Sequence, residues 1–278
     1  MGGGQSLLAA AADAAKNNCV ELDWSNRRTD DNPKLVTIVP PSFVSHLLGS
    51  TLTDLRLSGN GIAQLPASFG RLVALEYDSI INRIDTFPAA ALDGMRLLRV
   101  LTYTQNKYVV GIIIIPLLSL NAVDATLFHL TKLVYLDLSE NGLVQLPDDD
   151  DSDSTASSST NDANHGTWAC LACLQEFHVS NNRLSRLPRG LEALPALHFL
   201  NVSNNALVEL QVLPSELSQC TQLTALLVDR NDLQSLPRSI TALPNLHTLS
   251  VDRKTFALLD PAVLTFCTAL PTFDILGL

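Results

Sequence analysis

The chain has 278 residues, of which 46% are hydrophobic, so its length and composition permit one continuous core or two domains. Its formal net charge is −10 and it has no basic patch, which argues against nucleic acid as the main partner. The five cysteines form no dense cluster, and neither a secretory leader nor an apolar segment long enough to cross a bilayer is evident, so we expect a cytoplasmic protein.

The amino-terminal sequence MGGGQS matches the motif for N-myristoylation, with Gly2 as the acceptor and Ser6 four residues later. A flexible glycine-rich start is the alternative interpretation. A single myristoyl chain supports only marginal, reversible membrane binding, so we expect at most a weak peripheral membrane association through Gly2. The segment 7–16, LLAAAADAAK, consists of good helix formers that would hold a lipid away from the rest of the chain. We assign 1–18 to an amino-terminal tail.

A repeat dominates the remaining sequence. Its clearest copies are LTDLRLSGNGIAQLP (52–66), LVYLDLSENGLVQLP (133–147) and LQEFHVSNNRLSRLP (174–188). The first leucines of all copies, which are most often 23 residues apart, are Leu52, Leu75, Leu98, Leu133, Leu174, Leu197, Leu223 and Leu246. The pattern L-x-x-L-x-L-x-x-N-x-L at this period is the leucine-rich repeat signature. It predicts one α/β repeat solenoid, a leucine-rich repeat horseshoe, over 19–278.

Each part of the repeat has a predicted place. The alternating leucines form a short strand that turns them inward, and successive strands pair in parallel into a concave sheet. An asparagine after the strand bonds the backbone groups left open at the turn. These ladder residues are Asn60, Asn82, Asn106, Asn141, Asn182, Asn205 and Asn231. About a dozen residues then remain for the return path, too few for a long helix, so we expect 3₁₀ and extended segments on the convex side.

The ends of the solenoid need caps because no single repeat can bury its own leucines. We assign the amino-terminal cap to 19–51. Within it, Val20 and Leu22 predict a degenerate strand, and IVPPSF (38–43) resembles QLPASF (64–69) of the first regular copy.

The regular repeats occupy 52–256. Lys254 replaces the ladder asparagine in the last copy, and the pattern is lost in 257–278, which we assign to the carboxy-terminal cap. The third copy, LEYDSIIN (75–82), is one residue short, which would shift its inward residues unless a bulge absorbs the difference.

Two insertions interrupt the ladder. The segment 109–123, VVGIIIIPLLSLNAV, is apolar but too short and proline-interrupted to span a bilayer. Three interpretations are open: a lipid-facing insertion, an additional packed element on the convex side, or sequence from a mistaken gene model such as a retained intron. We favour the last two. The segment 148–166 is rich in aspartate and serine and cannot build a core, so it predicts a solvated loop whose serines are suited to phosphorylation.

Cys170 and Cys173 have the spacing of a metal or redox pair. The repeat alignment places them opposite Arg71 and Ala74, which are ordinary positions of the return path. No second pair and no histidine at ligand spacing accompany them. Cys220 falls in a core slot of its repeat, where a free cysteine acts as a small hydrophobic residue. We expect neither a metal nor a cofactor.

Function is expected on the concave face, which displays the outward side chains of the strands. Aromatic residues on an otherwise polar open face are typical anchors for a protein partner. The candidate partner-binding residues are Arg56, Tyr135, Asp137, Glu176, His178, Phe199, Asn201 and Asp229. His178 and Asp137 also suggest acid–base chemistry. No nucleophile is evident beside them and a shallow sheet cannot exclude water, so we expect no catalysis.

Several segments carry a resemblance to a known family. They are the L-P and F/L-x-x-L returns, VELDWSNR (20–27), VLPSELSQCTQLTALLVDRNDLQSLP (212–237) and LSVDRKTF (249–256). In these segments the chain resembles the intracellular leucine-rich repeat family that includes Ras-suppressor and scaffold proteins. The resemblance covers about 19–256, and the insertions, the short third copy and the divergent tail depart from it.

The resemblance implies a noncatalytic role in protein interaction. We therefore expect a monomeric scaffold or adaptor that binds a protein partner on the concave sheet. The alternative is a regulatory subunit of a phosphatase or small-GTPase signalling pathway, although a phosphatase-docking R/K-V-x-F motif is not evident.

Overall fold

The computed structural model describes residues 3–25, 39, 41–44, 46–79, 84, 87–104, 123–147, 167–208 and 220–276. Gly2, Asn82, Asn106, the apolar segment 109–122 and the acidic segment 148–166 lie outside the described residues. What the sequence predicts for them stays a prediction.

The described strands form one ten-stranded parallel sheet, in which each strand pairs with its neighbours along the chain. The strands are β1 (Glu21–Asp23), β2 (Asp54–Arg56), β3 (Tyr77–Ser79), β4 (Val100–Thr102), β5 (Tyr135–Asp137), β6 (Glu176–His178), β7 (Phe199–Asn201), β8 (Ala225–Leu227), β9 (Thr248–Asp252) and β10 (Thr272–Leu276). In β5, β6 and β7 the middle residue is buried and its two neighbours are partly exposed, as the alternating pattern predicts. The predicted solenoid is confirmed.

The ladder asparagines form the predicted hydrogen bonds where the structure describes them. The Asn141 side-chain amide donates to the Leu138 carbonyl at 2.9 Å and to the Tyr103 carbonyl of the preceding repeat at 2.7 Å. The same pair of bonds, between 2.8 and 3.1 Å long, recurs at Asn60, Asn182, Asn205 and Asn231. Because one of the two bonds always crosses to the previous repeat, the ladder ties successive turns together.

The helix α1 (Gly3–Lys16) lies in the amino-terminal tail, and the amino-terminal cap contains β1 and α2 (His46–Thr51). Phe43 and Phe69 hold the same place in the two similar sequences, and their rings stack with centroids 5.6 Å apart. The predicted strand forms around Leu22, but Val20 precedes it and is 53% exposed.

Helix α1 lies against the cap. Its alanines Ala11, Ala14 and Ala15 share one helical face and are buried in the core. Small side chains let a helix approach its neighbours closely, so this helix of the tail 1–18 packs on the solenoid. The prediction used helix propensity alone, which does not reveal a packed face.

The convex side is built from short elements, as predicted. The helix α3 (Ala89–Leu92) is a single turn, and 3₁₀ turns lie at Ala67–Arg71, Ala125–His129, Trp168–Leu171, Leu191–Ala193 and Arg238–Ala242. The return path between β9 and β10 differs from the prediction, because it contains α-helices, one of them eight residues long. Their apolar residues close the core from this side, and Phe69, Leu72, Leu75, Trp168, Leu171 and Leu174 are all fully buried. Cys220 is also buried, in the core slot that the repeat alignment assigned to it.

The sheet continues beyond the point where the repeat pattern was expected to end. After α4 (Arg253–Ala257) and α5 (Pro261–Thr268), β10 pairs with all five residues of β9. The sequence predicts only a carboxy-terminal cap for 257–278, since the repeat pattern is lost after Lys254. Leu270, Phe273 and Ile275 keep the L-x-x-F-x-I spacing of the repeat, but Ile275 is exposed on this edge strand.

The third copy keeps its register through β3. Tyr77, Asp78 and Ser79 pair with β2 on one side and with β4 on the other, without a bulge within the strand. Asp78 thereby takes the register position of Leu55 and Leu101, which are fully buried in the neighbouring strands. The structure does not describe residues 80–83, so how the chain accommodates the missing residue lies outside the described part.

The cysteines differ in exposure, which predicts a labelling order. Cys173 is exposed, while Cys220 and Cys267 are buried, and burial raises the pKa of each buried thiol to about 11. We expect a water-soluble disulfide reagent at neutral pH to modify Cys173 and to spare the other two, because only an accessible thiolate reacts. Peptide mapping after brief labelling measures this order. Labelling in denaturant is the control, and equal rates in the native protein would contradict the burial.

Candidate partner-binding face

The concave face brings most of the predicted site residues together on three adjacent strands. Tyr135, Glu176 and Phe199 form one row across β5, β6 and β7, and Asp137, His178 and Asn201 form the next. The alternating pattern of the strands turns these six residues away from the leucine core. The repeat register had predicted this arrangement.

The His178 ring contacts two other aromatic rings on this face. The His178 ring lies 5.0 Å from the Tyr135 ring, at 35° to it, and 4.8 Å from the Phe199 ring, at 27° to it. We call Tyr135, His178 and Phe199 the aromatic stack. His178 is in the second row and its two partners are in the first, so the contacts run diagonally between strands, a distance that aromatic side chains can bridge.

The stack shields the imidazole. The His178 side chain is 19% exposed, and its Nε2 is buried without a hydrogen-bond partner among the described residues. The Glu176 carboxylate lies 3.6 Å from Nε2, which is beyond an ordinary hydrogen bond. The histidine therefore acts mainly as the middle ring of the stack.

Two carboxylates border the stack. The Asp137 Oδ1 accepts the Ser139 backbone amide at 2.9 Å, which orients that carboxylate at the end of β5. Burial raises the pKa of the Tyr135 hydroxyl, and the nearby charges of Asp137 and Glu176 raise it further. The stack is therefore an apolar surface in a negative local field.

Two of the predicted site residues lie away from the stack. Arg56 on β2 is paired with Asp54 at 2.7 Å. Asp229 is buried, and its Oδ1 accepts hydroxyl hydrogen bonds from Ser203 and Ser250, each at 2.7 Å. Because the Asp229 carboxylate is used inside the chain, we leave it out of the proposed contact surface. The sequence showed both residues as outward but could not show these internal bonds.

The described residues show no arrangement suited to metal binding, since no three His, Cys, Asp or Glu side chains are grouped there. None of the described helices has both the length and the apolar character needed to cross a membrane.

Solved structures of leucine-rich repeat proteins resemble the chain over most of its length. A leucine-rich repeat protein from Leptospira interrogans is 20% identical with a TM-score of 0.65, and the match covers 95% of this chain and 63% of that one. Internalin C2 from Listeria monocytogenes is 17% identical with a TM-score of 0.59, covering 88% and 92%. This chain thus spans less than two thirds of the Leptospira protein.

A third similar structure is the ectodomain of the plant membrane receptor kinase GASSHO1/SCHENGEN3 from Arabidopsis thaliana, in complex with CASPARIAN STRIP INTEGRITY FACTOR 2. It is 20% identical with a TM-score of 0.57, and the match covers 84% of this chain and 27% of that one. No family model and no curated protein sequence matches the chain. At these identities the likeness establishes the fold: the chain is a leucine-rich repeat solenoid.

Proposed function

We propose that the chain is a noncatalytic scaffold or adaptor that binds a protein partner on its concave sheet, with the aromatic stack as the anchor. The observation that carries this proposal is the contact of the His178 ring with the Tyr135 and Phe199 rings, across three strands on the outward side of the sheet. Aromatic side chains supply large contact areas and dominate the binding energy of many interfaces. Rings that are already stacked in the free protein lose little further freedom when a partner covers them.

The comparisons support this proposal at the level of the fold. Leucine-rich repeat proteins generally serve in protein interaction, and the plant receptor ectodomain was solved in complex with another factor. From its cap and last-repeat motifs alone, we propose a relationship to the intracellular leucine-rich repeat-containing protein 57. We extend the proposal accordingly to a monomer in the cytoplasm.

The variant Tyr135→Ala/Phe199→Ala tests the anchor. We expect proximity labelling in the native cell to mark a set of proteins around the wild-type chain and to lose that set around the variant, because truncating anchor side chains typically costs more than about 1 kcal/mol each. The matched control is Val144→Ala/Val208→Ala, which removes two exposed apolar side chains from the return paths of nearby repeats. Equal labelling by wild type and the stack variant would reject the concave anchor.

We also propose that Gly2 is myristoylated, which rests on the MGGGQS sequence alone. The expected result is a weak, reversible membrane association of the acylated chain and none of Gly2→Ala. The intact mass of protein produced together with the acyltransferase measures the modification directly. An unmodified mass with Gly2 at the free amino terminus would remove the membrane proposal and leave the protein-binding proposal unaffected.

A further inference from the structure

The aromatic stack is combined with a particular arrangement of charge on β5 and β6. In the sheet register, Tyr135 lies opposite Glu176, and Asp137 lies opposite His178. These four residues form a square in which the Tyr135 and His178 rings occupy one diagonal. The Asp137 and Glu176 carboxylates occupy the other. Diagonal neighbours in a sheet are roughly 7–8 Å apart, so a single cationic group above the rings comes within reach of both carboxylates.

These two carboxylates are not neutralised within the described chain. No described Lys or Arg side chain forms an ion pair with Asp137 or Glu176, and among the described residues Glu176 pairs only with the His178 ring, at 3.6 Å. Elsewhere on the same face, the Asp54 carboxylate is paired with Arg56. Uncompensated negative charge is thus located beside the stack.

We propose that the partner binds through an arginine side chain that packs on the Tyr135 ring, within reach of both Asp137 and Glu176. This inference rests on the proposed function, because it names the chemistry of the group that the concave anchor receives. A guanidinium is planar and weakly hydrated, stacks on aromatic faces and donates hydrogen bonds to carboxylates on either side. An acidic partner would face two carboxylates, and a purely apolar partner would bury them without compensation.

The surroundings of Tyr135 agree with this assignment. Its hydroxyl has a raised pKa, through burial first and then through the charges of Asp137 and Glu176, so the ring lies in a field that attracts a cation. Phe199 extends the apolar surface on the far side of His178, where the aliphatic stem of the arginine or a neighbouring apolar residue can pack. A lysine fits the charge but lacks the planar group, so we expect it to bind more weakly.

Peptide selection on the whole protein tests the inference without knowledge of the natural partner. Short random peptides are selected on the wild-type chain, and those still bound by Tyr135→Ala/Phe199→Ala are discarded. We expect the remaining sequences to be enriched in arginine. Fluorescence anisotropy should then show about tenfold weaker binding to Asp137→Asn and to Glu176→Gln, and weaker binding as salt rises from about 0.1 M to about 1 M.

The design includes a matched control and separates two kinds of failure. Asp137→Asn keeps the side-chain oxygen that accepts the Ser139 amide, so it removes the charge without removing this hydrogen bond. The matched control is Asp274→Asn, which removes an exposed charge on β10, far along the sheet, and should leave the affinity for the peptide unchanged. The arginine inference is overturned, and the anchor stands, if the selected peptides lack arginine. The same holds if Tyr135→Ala/Phe199→Ala loses binding while Asp137→Asn and Glu176→Gln bind as wild type. If no peptide depends on the stack, both the inference and the concave anchor are overturned.

Discussion

Replacing Trp168 with alanine is expected to lower the free energy of unfolding by about 4 kcal/mol. The indole is fully buried, and its ring contacts Phe128 and Phe177, each with centroids 5.5 Å away. Its removal leaves a cavity at the centre of the repeat, and the surrounding strands and turns cannot close it. Chemical denaturation followed by circular dichroism measures the change.

Trp168 also closes the repeat around the acidic insertion. In regular copies the proline carbonyl accepts the amide three residues later, as Pro66 does from Phe69 at 3.0 Å. In this copy the insertion 148–166 separates Pro147 from the 3₁₀ turn, and the Trp168 indole N–H donates to the Pro147 carbonyl at 2.9 Å. The indole therefore joins the two ends of the chain between which the insertion leaves and returns.

The substitution Trp168→Phe separates packing from this closure. It keeps most of the buried ring and loses the indole N–H, so we expect a cost of about 1–3 kcal/mol, and faster proteolysis within 148–166 than in wild type. Val144→Ala, at an exposed position, is the control and should change stability by less than about 0.5 kcal/mol. A loss below about 1 kcal/mol in Trp168→Ala would contradict the assigned core position.

Replacing Asn141 with alanine is expected to destabilise the chain by about 3 kcal/mol. Asn141 is buried, and its amide donates to the carbonyls of Tyr103, Leu138 and Ser139 at 2.7, 2.9 and 3.2 Å. Alanine cannot donate a hydrogen bond, so the inter-repeat bond to Tyr103 is lost along with the two bonds inside the turn. Loss of bonds between repeats should also lower the cooperativity of unfolding, because a solenoid depends on contacts between neighbouring repeats.

The control for the Asn141→Ala variant is Gln145→Ala, which removes an exposed side-chain amide four residues later in the same repeat. It should change stability by less than about 0.5 kcal/mol. Urea titrations of both variants give the midpoint and the m-value. If Asn141→Ala unfolds at the same urea concentration as Gln145→Ala, the ladder does not stabilise this fold in the proposed way.

The sequence predicted the rows of the candidate site but not the contacts within it. Period-two alternation assigns Tyr135, His178 and Phe199 to the outward face, because successive residues of a strand point to opposite sides. The diagonal stacking of their rings depends on side-chain torsions and on the twist between strands, which a linear pattern does not contain. For the same reason the hydroxyl bonds that occupy Asp229 inside the chain could not be predicted.

The sequence by itself determined the architecture. The repeated leucines and asparagines specify a solenoid in which the leucines of the repeat are buried and the asparagines bond the open backbone at each turn. The strand register, the asparagine ladder and the short convex elements follow from this pattern. The tertiary structure alone decided how the irregular segments join this frame. These include the packing of the α1 alanines on the cap, the pairing of β10 with β9 and the closure of the acidic insertion by Trp168. Each of these depends on residues that are distant in sequence and meet only once the solenoid has formed.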